Sequence, residues 1–228
     1  MMLSSRYDVL REIYDEYIRG LPANALIPTV ADIALSPLVH AVIVDERTDF
    51  IVTRQTFKDI NLMQTFPSIF SDWKIRLDNE LIRMVKVKLS EPFTKDQLLL
   101  ATTVFYCDAC HIILFYPQVL VHRCPRVNCL GYPTWNYSEN IKFDENLHRA
   151  AIYITDISGL DSMAWNSSGN IQFDRYVHQA AIDIINILGL DPKVVTAEDM
   201  TVSNRVLQCL DCKATCQGRI TMIWSRAV

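Results

Sequence analysis

The residues of this chain with the clearest chemical potential are its seven cysteines, all of which lie after residue 106. Two pairs have the C-x-x-C spacing, Cys107 with Cys110 and Cys209 with Cys212. A tight turn of that length can direct two thiolates at one tetrahedral ion, and zinc is the usual ion in such sites. The other candidate ligands are Cys124, Cys129, Cys216 and His122. The sequence therefore predicts one or two structural Zn²⁺ ions in the C-terminal half.

Two ways of sharing these ligands are consistent with the spacing. In the first, the two C-x-x-C pairs meet at one ion. In the second, the first pair is completed locally by Cys124 and Cys129, and His122 can replace one of these ligands. The second pair and Cys216 then need a further ligand, for which His148 and His178 are candidates.

Each C-x-x-C pair stands between two β-prone runs, which must position it. Residues 103–106 precede the first pair and 112–116 follow it, while 205–208 and 220–224 flank the second. This is the strand–turn–strand pattern of a zinc ribbon, read twice. A redox role is disfavoured because thioredoxin-like motifs open a helix, and strand-forming residues follow here. Buried thiols without metal are the remaining alternative.

A second pattern is an internal duplication of residues 135–161 at 165–191, in which 16 of the 27 aligned positions are identical. Each copy predicts a short strand and then an amphipathic helix, with Asp144 or Asp174 as the N-cap. His148 and His178 occupy equivalent positions. The simplest interpretation is that a local duplication added a second strand–helix unit.

The N-terminal half has helical spacing of its apolar residues. It predicts helices over residues 5–19, up to about Val44, after Thr53, from Pro67, and over 94–102. The predicted fold class is therefore α+β, with a mainly helical region at 1–102. A zinc-knuckle α+β region follows at 103–228, built of zinc-ribbon-like β-hairpins and the two duplicated strand–helix units.

Composition argues against several classes of protein. Half of the residues are hydrophobic, 21% are charged and the net charge is −4, with no basic stripe of the kind that phosphate binding needs. No apolar run approaches 18 residues, and no signal-peptide core is seen at the N-terminus. We therefore expect no nucleic-acid partner, no membrane association, and a cytoplasmic or nuclear location with reduced thiols.

Common catalytic motifs are absent from the sequence, among them H-E-x-x-H, G-x-S-x-G and G-x-x-x-x-G-K. Because all-cysteine zinc sites are usually closed, the pattern favours a non-enzymatic role. The leading hypothesis is a zinc-stabilised protein-interaction module. The alternatives are a metal-dependent enzyme with an open zinc site near a histidine, and a nucleic-acid-binding zinc protein.

A family resemblance covers most of the chain from about Arg6 and is most specific after Tyr106, above all in residues 106–124 and 205–212. Their runs YCDAC, YPQVLVHRC and RVLQCLDC resemble a pattern in uncharacterised proteins of mushroom-forming fungi, many of which are F-box proteins. The resemblance implies a cysteine-rich zinc-knuckle region and a role as a substrate-receptor-type domain with a protein partner. No F-box pattern is seen in this chain, so the adaptor of a cullin–RING ubiquitin ligase is not expected as that partner.

Overall fold

Helices dominate the first half of the chain in the computed structural model of this protein, and a small antiparallel sheet of three strands lies in the middle of the chain. The structure describes residues 2–45, 51–123, 164–166, 168–203, 205–208 and 221–224. The fold is thus mixed helix and sheet, with the helical N-terminal half that the sequence predicts.

The described residues form two compact units that alternate along the sequence. The first contains the residues up to Lys74, Arg123, and those described between 164 and 168. The second contains Ile75–His122 and the described residues from Gly169 onward. The division predicted between residues 102 and 103 rests on a change of secondary-structure type, and it stays a prediction.

In the part of the first unit that the structure describes, helices surround an apolar core. They are α1 (Met2–Ile18), α2 (Val30–Ala34), α3 (Pro37–Ile43), α4 (Arg54–Asp59) and the first part of α5 (Leu62–Leu89). Helix α2 is capped by Thr29, whose hydroxyl accepts a hydrogen bond from the amide of Asp32. The Asp32 carboxylate in return accepts from the Thr29 amide, which completes a capping box.

Two buried polar side chains satisfy carbonyl groups inside this unit. The Arg6 guanidinium donates to the carbonyl of Ile43 at 3.0 Å and to that of Asp45 at 2.6 Å, where α3 ends. The Tyr14 hydroxyl donates to the Pro28 carbonyl at 2.7 Å. The last carbonyls of a helix have no partner within the helix, so the Arg6 side chain stabilises the end of α3.

Helix α5 begins earlier than the sequence predicts. It starts at Leu62 and Pro67 lies inside it, although a proline is most at home in the first turn. Asn61 precedes the helix with a φ of 51°, and its carbonyl accepts the first helical bond from the Thr65 amide. Pro67 has no N–H to donate, yet the helix continues to Leu89.

The described part of the second unit contains two short sheets, two helices besides the end of α5, and two 3₁₀ turns. Its strands are β1 (Val104–Cys107), β2 (Ile112–Phe115), β3 (Ile171–Phe173), β4 (Val206–Gln208) and β5 (Thr221–Ile223). Its helices are α6 (Arg175–Ile187) and α7 (Ala197–Val202), and its 3₁₀ turns are Asp96–Leu99 and Gln118–Val121. The longer helix predicted over 94–102 is only the first of these turns, because Leu100 takes an extended backbone conformation and forms an antiparallel bridge with Thr196.

Strand β1 is the centre of the larger sheet, which has the order β2–β1–β3 with antiparallel pairing throughout. Phe105 on β1 is fully buried, and its ring meets that of Phe173 on β3 edge-on at 6.0 Å. Strands β4 and β5 pair separately. The ring of Trp224, which follows β5, packs 4.6 Å from that of Phe115 on β2.

The second copy of the duplication forms the strand and helix that its sequence predicts, β3 and α6. Asp174 caps α6 by accepting hydrogen bonds from the amides of Tyr176 and Val177. Gly189 follows the helix with a φ of +70°, a conformation that strains any residue with a Cβ. The first copy, residues 135–161, lies outside the described residues.

Candidate metal site

The first C-x-x-C pair lies in the turn between β1 and β2. Cys107 is the last residue of β1 and pairs with Ile112, the first residue of β2. The His111 amide donates to the Cys107 carbonyl at 2.8 Å, and His111 has a φ of 59°. The chain thus closes a tight turn around residues 108–110. Both thiols are buried and neither is in a disulfide.

Strand β3 holds this turn from the side. Cys107 pairs with Ile171, and just beyond it the Asp108 amide donates to the Asn170 carbonyl at 2.9 Å. The Gln172 side-chain amide donates to the Asp108 carboxylate at 2.7 Å. Asp108, the first of the two residues between the cysteines, is therefore fixed by a strand that lies 64 residues further along the chain.

His122 is brought to the site by the 3₁₀ turn that follows β2. Strand β2 leads through Pro117 into the 3₁₀ turn Gln118–Val121, where Val119 and Leu120 are fully buried. That burial anchors the turn. His122 follows at once with an extended backbone, and its Nε2 lies 3.5 Å from the Sγ of Cys110.

Together Cys107, Cys110 and His122 form a cluster of three possible metal ligands. Their two Sγ atoms and the imidazole nitrogen all lie within 4.8 Å of one another. In a tetrahedral zinc site, bonds of about 2.3 Å to sulfur and about 2.0–2.1 Å to nitrogen place the sulfur and nitrogen about 3.6 Å apart. The 3.5 Å between Cys110 and His122 matches that edge.

The half-buried position of His122 favours the form of the ring that binds metal. Burial disfavours the charged imidazolium and lowers the pKa of His122 below its ordinary value. A neutral imidazole offers a lone pair on one nitrogen, whereas the protonated ring offers none. At neutral pH the site therefore presents a ring nitrogen that can accept a metal ion.

The structure describes three of the eight predicted metal ligands, and it brings those three together. The other five, Cys124, Cys129, Cys209, Cys212 and Cys216, lie outside the described residues. Strand β4 ends directly before Cys209 and pairs with β5, as the β-prone runs on either side of the second pair predict, but residues 209–220 between these strands lie outside the described residues. Whether it shares the ion with the first pair stays a prediction.

His178, the proposed further ligand in the second copy, makes different contacts. Its Nδ1 donates to the carbonyl of Thr102 at 2.6 Å, and its ring packs 5.3 Å from that of Phe173. Among the described residues it is not part of a metal-ligand cluster. Its observed role is to fasten α6 to the chain before β1. His148, its counterpart in the first copy, lies outside the described residues.

Two contacts near the site were not predicted from the sequence. The Tyr106 hydroxyl is hydrogen-bonded to Nδ1 of His111 across the turn. The other is the Asp108–Gln172 bond. Because side chains alternate between the two faces of a strand, the sequence could have placed Tyr106 on the face opposite Cys107. Gln172, in contrast, becomes a neighbour of Asp108 only through the pairing of β1 with β3.

Comparison with known protein families, curated proteins and solved structures found no match to this chain. In the parts of the chain that the structure describes, no helix is both long and apolar enough to cross a membrane.

Proposed function

We propose that Cys107, Cys110 and His122 bind a structural zinc ion, and that the protein is a zinc-stabilised protein-interaction module. The observation that supports the metal is the close approach of three donor atoms in a turn fixed by strands on both sides. A set of two thiolates and one imidazole binds zinc in preference to ions such as Mg²⁺, which favour oxygen ligands.

A fourth ligand would close this site, and chain length favours Cys124. It follows His122 by two residues, so its Cα lies within about 7 Å of the His122 Cα whatever the local conformation. The resulting C-x2-C-x11-H-x-C set corresponds to the local ligand scheme. The second C-x-x-C pair and Cys216 are then left for a separate ion, and the zinc-ribbon pattern would occur twice.

The sharpest test of this proposal is to replace zinc by cobalt, whose visible bands report geometry. A closed site should give tetrahedral bands with thiolate-to-metal charge transfer, and azide should leave them unchanged. Cys124→Ser should weaken the bands of this site, whereas Cys216→Ser should not. If wild-type protein purified with zinc present holds no metal, the proposal fails.

A metal-dependent enzyme is the second candidate, and one observation favours it. Only three ligands meet among the described residues, and three protein ligands with one open position is the usual form of a catalytic zinc site. His122 is also half-buried, so the metal would be within reach of solvent. An open site would show cobalt bands that shift with azide or cyanide, which separates the two candidates.

The interaction role draws support from exposed apolar side chains on the second unit. Ile187 is 78% exposed at the end of α6, and Val206 is 62% exposed on β4. The Arg205 guanidinium donates to the Leu188 carbonyl at 3.1 Å. Because Arg205 precedes Val206 and Leu188 follows Ile187, this bond links the two segments that carry the exposed side chains. Apolar side chains that share an exposed surface often mark a protein contact.

This part of the proposal is tested by a charge placed on the surface. Ile187→Glu or Val206→Glu should leave zinc content unchanged and abolish recovery of any protein that co-purifies with the wild type. Val87→Glu is the matched control, because Val87 is 65% exposed in the same unit but on α5. Equal recovery with all three variants would refute this surface. A substrate-receptor role, which the fungal F-box resemblance implies, would make that partner a ubiquitination substrate.

A further inference from the structure

The turn that carries Cys107 and Cys110 is held by hydrogen bonds that use neither thiol. The His111 amide donates to the Cys107 carbonyl at 2.8 Å, and the Asp108 amide donates to the Asn170 carbonyl at 2.9 Å. The Asp108 carboxylate accepts a third bond, at 2.7 Å, from a side-chain amide on β3. Since none of these bonds involves sulfur, the turn keeps the two thiols together whether or not they bind a metal ion.

The two thiols are close enough to form a disulfide with each other. Their Sγ atoms lie within 4.8 Å, and neither sulfur is in a disulfide. The Cα atoms of the first and fourth residues of a turn lie within about 7 Å, and a disulfide joins Cα atoms about 4.4–6.8 Å apart. Rotation of the two side chains can therefore bring the sulfurs to the S–S bond length while the backbone of the turn stays in place.

The two thiols differ in their access to solvent. Cys107 is fully buried, whereas Cys110 keeps 8% of its exposure. Hydrogen peroxide is little larger than water and can reach a slightly exposed sulfur, whereas glutathione disulfide is made of two tripeptides and is too bulky to do so. Because oxidation of cysteine follows exposure, burial selects a small oxidant and directs it to Cys110 first.

We propose that Cys107 and Cys110 form a peroxide-sensitive switch that controls zinc occupancy of the site. In the reduced state the two sulfurs hold the ion together with His122. In the oxidised state the sulfurs are bonded to each other and offer no thiolate, so zinc is released. The inference rests on the proposed zinc site and adds its regulation. The switch differs from thioredoxin-like catalysis because it oxidises the turn itself and no protein substrate.

The oxidation consumes one peroxide molecule and yields two water molecules. The Cys110 sulfur attacks one peroxide oxygen, the O–O bond breaks, and the other oxygen leaves as water with the thiol proton, which produces a sulfenic acid. The Cys107 sulfur then attacks the Cys110 sulfur and expels that hydroxyl as a second water, again with a thiol proton. The two electrons that the sulfurs lose go to the peroxide. A dithiol reductant reverses the change by thiol–disulfide exchange.

Bound zinc should slow the oxidation, because the ion engages both sulfurs and keeps them from reacting with each other. The reaction then proceeds through the metal-free fraction of the chain. When free zinc is about 100-fold above its Kd, about 1% of the chains are metal-free, and the link should form about 100-fold more slowly. In His122→Ala, an affinity that is about 100-fold weaker would leave only about twofold protection at the same zinc concentration.

The experiment follows the reduced full chain in hydrogen peroxide, once with a chelator and once in a buffer that fixes free zinc about 100-fold above the measured Kd. N-ethylmaleimide blocks the unreacted thiols at each time point. Peptide mass spectrometry then quantifies the Cys107–Cys110 link and its loss after treatment with a dithiol. Glutathione disulfide is the matched oxidant, and it should react with the folded chain more slowly than peroxide does.

Two substitutions test the order of the steps. Cys107→Ser should leave Cys110 as a sulfenic acid that dimedone traps, because its partner sulfur is missing. Cys110→Ser should leave Cys107 largely unmodified over the same time, because its sulfur is fully buried. If either variant fails to fold, the wild-type time courses with chelator and with zinc still decide the matter.

A link that forms in chelator, slows about 100-fold in zinc and is reversed by a dithiol supports the switch. A chain that binds zinc but never forms the Cys107–Cys110 link, or forms it equally fast with and without zinc, overturns the switch and leaves the zinc site standing. A chain that binds no zinc overturns the proposed function as well. Equal rates with peroxide and glutathione disulfide would overturn the selection of the oxidant by burial.

Discussion

Replacing His122 by alanine should remove about half or more of the stability that zinc confers. A three- or four-ligand zinc site that binds with a Kd of about 1 nM stabilises the folded chain by about 2.7 kcal/mol at 100 nM free zinc. Losing a hydrogen-bond partner of a metal ligand commonly weakens binding by about 10- to 100-fold, and losing the ligand itself should weaken it at least as much. The stabilisation in His122→Ala then falls to about 1.4 kcal/mol for a 10-fold loss, or about 0.4 kcal/mol for a 100-fold loss, at the same free zinc concentration.

The assay is urea unfolding in a metal buffer that fixes free zinc at 100 nM, compared with the same titration in chelator. His111→Asn is the matched control, since His111 stands on the same turn and asparagine tolerates its left-handed backbone. The control should keep the full zinc response. Equal responses in wild type and His122→Ala would refute the assignment of His122 as a ligand, and no response in either would refute the site.

Three further predictions concern residues of the two units that take no part in the proposed metal site. Arg6→Ala should destabilise the chain by about 2–3 kcal/mol in urea unfolding, because carbonyls at the end of α3 lose a charged donor. Phe105→Ala should cost about 3–5 kcal/mol by the same measurement, since its ring is fully buried at the centre of the sheet. Burial raises the pKa of Tyr7 and Tyr14 above the ordinary value of about 10, so the unfolded chain loses protons first as pH rises. Stability should fall above pH ~10 by up to about 1.4 kcal/mol per pH unit for each tyrosine, and replacing either with phenylalanine should lessen the slope of an alkaline unfolding curve.

Local patterns in the sequence predicted the local elements well. The β-prone runs around Cys107 and Cys110 form β1 and β2, and the second copy forms a strand and a helix capped by Asp174. These features depend on residues within a few positions of one another, where periodicity, caps and turns carry the information. The helical character of the N-terminal half follows for the same reason.

Features that depend on distant residues were not predictable in this way. Nothing local indicates that β3 pairs with β1, or that Gln172 binds the carboxylate between the two cysteines. The sequence left His122 as a substitute ligand, whereas burial of Val119 and Leu120 brings it beside Cys110. The start of α5 was misplaced because Pro67 resembles a first-turn proline, and a long apolar face outweighs one missing hydrogen bond.

The pairing of β1 with a strand far along the chain also affects the order of events during synthesis. Asp108 and its partner Gln172 are separated by 64 residues, which a ribosome adds in roughly 3 to 13 s at about 5–20 residues per second. Throughout that delay the nascent chain carries β1 with one edge unpaired. An exposed strand edge is a template for pairing with other chains, so this interval is when the protein is most exposed to aggregation.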